Sequence, residues 1–346
     1  MKKLLCFILL IFVLNSCSSI KKSNSHGFIS EDLVKIIPDQ LDLPMDSQGK
    51  EKPATTISQE ETVRVGDRGG DIYSNTEERD YHARFKNRKL IIGLSLGPGM
   101  YRTINYVSFF KVLERNNLSV NIITGTGFGA IVAAMYASGM TPEAIEWLFY
   151  KYFKEKNKNK LYDPDWIAEV DEAFLRKIKI VNIQETKIKF FITLYDYKKN
   201  RTYYFDKGNI RDLLLLNLKL LSALPKSENP ERYSAAFEKE VFNSPLLKRL
   251  GAEFTIAVDS LGSKFDFLNA NEFLIGIYGR VAGRIQNERK KFDYSVTLPL
   301  NAMNLESTKD GPLYLQKSYE FMRKESPIIL KKIQAKIESL ENSGNE

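Results

Sequence analysis

Two histidines and two cysteines are all that the 346 residues contain. Both histidines, His26 and His82, precede the first stretch that reads as ordered. Neither a Ser-His-Asp relay nor a His-based metal site can therefore be assembled in the folded part, and no metal or cofactor is expected. Cys6 and Cys17 both fall within the first seventeen residues, so no disulfide framework staples the chain. Zinc-type spacings and basic runs interleaved with aromatics are absent, which argues against nucleic acid as a partner despite the net charge of +8. Gly97-Pro98-Gly99 lacks the Lys-Ser/Thr of a phosphate-binding loop. An Asp-Gly pair occurs once, at Asp310-Gly311.

The apolar run Leu4–Leu14, behind Lys2 and Lys3, is too short to span a bilayer. With Leu14-Asn15-Ser16-Cys17 after it, it resembles a bacterial lipoprotein signal, with residues 1–16 removed and Cys17 lipidated. Ser18, rather than Asp, after the cysteine resembles the signal for passage to the outer membrane. The expected setting is the bacterial cell envelope, with membrane lipid engaged through the acylated N-terminus. Residues 17–88, rich in Ser, Lys, Glu, Asp and Gly, read as a tether that cannot bury enough surface to fold alone. Its one amphipathic patch is Ile29–Ile37, ended by Pro38.

Order is expected over residues 89–325, followed by a C-terminal helix and tail over 326–346. Leu90–Leu96 is a short apolar run suited to a strand buried on both faces. A glycine-rich turn follows, and Thr103–Asn116 has helical spacing. A second apolar strand enters Gly125-Thr126-Gly127-Phe128-Gly129, and an Ala-rich helix leaves it. This is the layout of a nucleophile elbow, G-x-S-x-G, in which a strained turn lifts one side chain above the sheet. Here the lifted position is Gly127, which has nothing to attack with. Thr141-Pro142 starts a further helix. Lys187–Leu194 and Arg201–Phe205 read as a hairpin, Asn209–Leu221 as a helix, and Glu253–Val258 and Phe292–Leu298 as strands. Ser307–Asn342 reads as helical, interrupted near Pro327. The alternation of strands and helices predicts an α/β fold with a mostly parallel central sheet flanked by helices.

The segments from Leu90 to Glu114 and from Asn121 to Leu148, then SALP and LGAEFTIAVDS, resemble the patatin-like phospholipase family. The resemblance implies a three-layer fold and a Ser–Asp dyad: a serine on the elbow, an aspartate in D-G-[GA] as base, and a G-x-G-x-x-R-G turn as oxyanion donor. Gly97, Gly99 and Arg102 match that turn, with Thr103 in place of the last glycine, where a β-branched residue resists positive φ. Gly125 and Gly129 match the elbow. Gly127 replaces the serine, and Ala236–Asn243, where the aspartate belongs, contains no Asp-Gly.

With both partners of the dyad gone, the resemblance implies a degenerate enzyme whose relic cleft holds a lipid or protein ligand. The alternative is an acyl hydrolase with unorthodox residues, Thr126 being the least unsuitable nucleophile. Glu238 and Glu240 are the nearest substitutes for the base, although solvated charges are their default reading. Thr124, Ser95 and Asp259 read as structural. The lysine-rich stretch Lys151–Lys160 reads as a solvated loop or as a contact for anionic headgroups.

Overall fold

In a computed structural model, the structure describes residues 90–154, 161–220, 232–262, 272–301, 303–305, 309 and 311–343. The N-terminal signal, Cys17, the tether with both histidines, SALP, residues 155–160 and Asp310 lie outside the described residues.

A seven-stranded sheet organises the chain. β1 (Ile92–Leu96) pairs in parallel with β2 (Ile122–Gly125) on one side and with β6 (Phe254–Asp259) on the other. Being central, β1 has all five residues buried, which explains its uninterrupted apolar run. β2 pairs in parallel with β3 (Lys189–Asp196), and β6 with β7 (Tyr294–Thr297). Beyond β3 the sheet turns antiparallel. β4 (Arg201–Phe205) and β5 (Tyr233–Ala235) both run against it. The β3–β4 hairpin is locked by the fully buried Asp196, which accepts from Lys199 N at 3.0 Å and from Arg232 Nε at 2.6 Å. The mostly parallel sheet expected from the strand–helix alternation is thus present, and β5 is an addition that three residues could not signal.

The helices are α1 (Tyr106–Arg115), α2 (Phe128–Ala137), α3 (Pro142–Lys154), α4 (Pro164–Ala173), α5 (Ile210–Asn217), α6 (Ser244–Arg249), α7 (Glu272–Glu288) and α8 (Gly311–Ser343). All ten residues of α2 are buried, as expected of a helix apolar all round. The helix predicted over Thr103–Asn116 is split, because Met100–Asn105 is a 3-10 turn. Side chains tighten it: Thr103 Oγ1 donates to Met100 O at 2.7 Å, and Asn105 Nδ2 to Arg102 O at 2.9 Å.

Pro327 does not interrupt the C-terminal helix, contrary to the sequence expectation. α8 runs without a break from Gly311 to Ser343, through the boundary expected at residue 325. Pro327 faces solvent, where water can satisfy the carbonyl it deprives of a partner, and the flanking turns bury Met322, Ile329 and Ile333. Asn116 Nδ2 reaches Ser326 Oγ at 2.9 Å, and Ser318 Oγ reaches Asn105 Oδ1 at 3.0 Å, fixing α8 up to the proline, while the buried Ile329 and Ile333 hold it beyond. Among the described residues no helix is long and apolar enough to cross a membrane.

On α1, Glu114 sits half-buried, and its Oε1 finds no hydrogen-bond donor among the described residues. Burial, reinforced by Glu143 and opposed by Lys111, pushes its carboxyl up to about 7. The folded state therefore favours the protonated acid. Its contribution to stability is complete below the unfolded value and is lost as pH rises through about 7. Glu114→Gln is expected to match the wild-type melting temperature near pH 4 and to exceed it near pH 8; an equal difference at both pH values would contradict this.

Candidate active site

The elbow expected at residues 125–129 is built. β2 ends at Gly125, and α2 starts at Phe128. Between them Gly127 adopts φ 54° and ψ −137°, a backbone conformation that side-chain-bearing residues enter only under strain. The flanking glycines are required by close approach. A Cβ on Gly125 would lie 2.6 Å from Ala130 Cα, and one on Gly129 would lie 2.2 Å from Gly97 O. The elbow is therefore pressed against the glycine-rich turn after β1.

Gly127 is closely covered by apolar side chains. A Cβ placed there would meet Phe237 Cδ1 at 3.0 Å and Pro98 Cβ at 3.1 Å. Phe237 is fully buried and stacks on Tyr278 of α7, with ring centroids 5.7 Å apart. Both peptide groups of Gly127 are held by Asn217, the last residue of α5. Gly127 N donates to Asn217 Oδ1 at 3.0 Å, and Asn217 Nδ2 donates to Gly127 O at 2.6 Å. The strained turn is thus clamped from one side and roofed by an aromatic ring from the other.

A base that activates a nucleophile must lie within hydrogen-bond reach of it. The side chain facing position 127 is Phe237, which has no proton to exchange. The two carboxylates weighed as substitutes point to other tasks. Glu240 accepts from the Tyr204 hydroxyl at 3.2 and 3.0 Å, and burial raises its carboxyl above the ordinary range. Glu238 lies by the paired Tyr162 and Tyr278 hydroxyls, where burial and then its own charge discourage ionisation of Tyr278. Thr126 is also occupied: its Oγ1 donates to Val241 O at 3.1 Å, and the residue is buried. Thr124 pairs with Thr193 across β2 and β3, and Ser95 is buried in β1.

In the glycine-rich turn, the Tyr106 hydroxyl donates to Gly97 O at 2.7 Å. Gly99 backs onto Ser260, whose Oγ lies 2.0 Å from where a Cβ would be. Arg102 is wholly buried; its Nη1 donates to Leu261 O at 2.7 Å, and its Nε and Nη2 donate to Met303 O. It fastens the turn to two distant loops. The positive φ expected to trouble Thr103 is taken instead by Met100, at φ 49°, because Thr103 is drawn into the 3-10 turn. Asp259 is structural, as expected. Buried at the end of β6, it accepts from Leu261 N at 2.8 Å and Gly262 N at 3.3 Å, and burial raises its carboxyl.

Phe128, next to the elbow, points away from the roof into rings of Tyr101, Phe149, Trp166 and Phe174. The residues that fill the site, Phe237 and Tyr278, escaped the sequence reading. Tyr278 sits on α7, a helix not expected there, although Leu274, Ile277, Tyr278, Val281 and Ile285 carry its spacing.

A parallel strand, a strained turn and a buried helix, set against a glycine-rich loop, define an α/β protein of the nucleophile-elbow class. The family model for patatin-like phospholipases matches residues 94–274, just over half of the chain. The chain belongs to that family. Among solved structures it is similar to human GIVD cytosolic phospholipase A2, at 11% identity and a TM-score of 0.46, covering 77% of this chain and 64% of that one. It is also similar to VipD from Legionella pneumophila, at 10% identity and a TM-score of 0.40, covering 70% and 67%. A third similarity is to ExoU from Pseudomonas aeruginosa in complex with SpcU, at 12% identity and a TM-score of 0.36, covering 71% and 53%. The chain thus spans about half to two thirds of the length of these proteins.

Three substitutions probe the roofed turn. Gly127→Ala adds both a strained φ and an overpacked methyl, and is expected to destabilise by about 3 kcal/mol. In a Phe237→Ala background the added cost should fall to about 1 kcal/mol, and additivity in denaturant titrations would contradict the contact. Asn217→Ala, which strands the buried Gly127 N–H and leaves Gly127 O with Ala130 N as its donor, should cost about 1–3 kcal/mol in the same titration.

Proposed function

We propose that this chain is a patatin-fold protein that no longer hydrolyses acyl esters and acts at the bacterial cell envelope as a lipid-anchored scaffold. One observation carries the reading: the elbow position is Gly127, which bears no nucleophile, and a Cβ added there would meet the Phe237 ring at 3.0 Å and Pro98 Cβ at 3.1 Å. Loss of the nucleophile alone lowers turnover in a hydrolytic site by about a millionfold, leaving a remnant of about a thousandfold over water. Here the base is lost as well. The ring over Gly127 favours contacts made by the surface of the domain over an acyl chain held at the elbow. The envelope setting is supported by the signal-like residues 1–17 alone.

The full chain is expected to release no p-nitrophenol from acyl esters above a heat-denatured control. Gly127→Ser alone should be equally inert, because no base faces it. Turnover by the wild-type chain that disappears in Thr126→Ala would overturn the reading and revive an unorthodox hydrolase. Anchoring is tested separately: labelled palmitate should enter the wild-type protein in cells and not the Cys17→Ser variant.

A further inference from the structure

α3 buries one face and leaves an unusual one in water. Pro142, Ile145, Phe149 and Tyr152 point inward, and Phe149 touches Phe128 beside the elbow, with centroids 5.9 Å apart. Outward, at helical spacing, stand Trp147, Tyr150, Lys151 and Lys154. Trp147 is 63% exposed and Tyr150 37%, the two stacked at 5.7 Å, with Lys154 Nζ 4.6 Å above the Tyr150 ring. Among the described residues neither lysine forms an ion pair, whereas the neighbouring Glu146 is held by Lys111 at 2.5 Å. The stripe therefore combines a large exposed indole with two lysines that form no ion pair among the described residues.

We propose that this outer face of α3 seats the domain on an anionic lipid bilayer. Indole and phenol rings with one apolar and one polar end settle at the headgroup level of a membrane. Lysines beside them gain from the negative surface potential, each by roughly fivefold in partition. A protein partner would need a matching pocket and opposing acids. A bilayer supplies the charge and yields around the rings, which suits a convex helix face. The inference deepens the scaffold reading by naming the surface it stands on, and its test does not depend on esterase activity.

The test uses the full chain without lipidation and vesicles of phosphatidylcholine with or without phosphatidylglycerol. The chain has two tryptophans, and Trp166 is fully buried, so a change in accessible emission reports Trp147. On anionic vesicles that emission should shift to the blue and be quenched by brominated acyl chains. Both effects should vanish on phosphatidylcholine alone and weaken in high salt. Lys151→Gln/Lys154→Gln should weaken the transition by about thirtyfold with an unchanged circular dichroism spectrum. If the chain pellets with vesicles while Trp147 emission stays unshifted, only the N-terminal run holds the membrane and the proposal fails. It fails equally if Trp147→Ser splits a dimer seen by sedimentation without lipid.

Discussion

The backbone of Gly127 is the constraint on which the centre of the molecule depends. A turn at φ 54° and ψ −137° persists only where its surroundings over-determine it. Here they do so from three directions: Asn217 holds both peptide groups, Gly129 lets α2 press onto Gly97, and Phe237 closes the open side. In a hydrolase the strain of such a turn serves to present a side chain. In this chain the strain is kept and nothing is presented.

The same turn explains why the surroundings are so apolar. With no side chain at position 127 to accommodate, Phe237 packs beside the elbow as in a core, stacked on Tyr278. On the far side, Phe128 joins the rings of α3 and α4. Arg102 is recruited in the same spirit: its guanidinium serves backbone carbonyls of two loops and acts as an internal brace.

The sheet was legible because its information is local. Apolar runs such as Ile92–Leu96 and Phe254–Asp259, separated by glycine-rich turns, announce buried parallel strands without reference to anything distant. The empty nucleophile position was equally plain, since it depends on one residue in a fixed motif. What faces the elbow was not. Phe237 meets Gly127 only through the folded sheet, and in sequence it is an ordinary aromatic near two acids that drew attention to themselves. The continuity of α8 was hidden for a related reason: a proline reads as a break, and only the packing of Met322 before it and of Ile329 and Ile333 after it shows the helix held across it.

The packing of Phe237 against Gly127 also couples two parts of the chain that are distant in sequence. A serine placed at the elbow brings its Cβ against the ring, and an acid placed at position 237 exchanges a stacked aromatic for a carboxylate in an apolar layer. Either change alone therefore costs packing. The two positions can be altered freely only together, so that each sets which side chains the other tolerates.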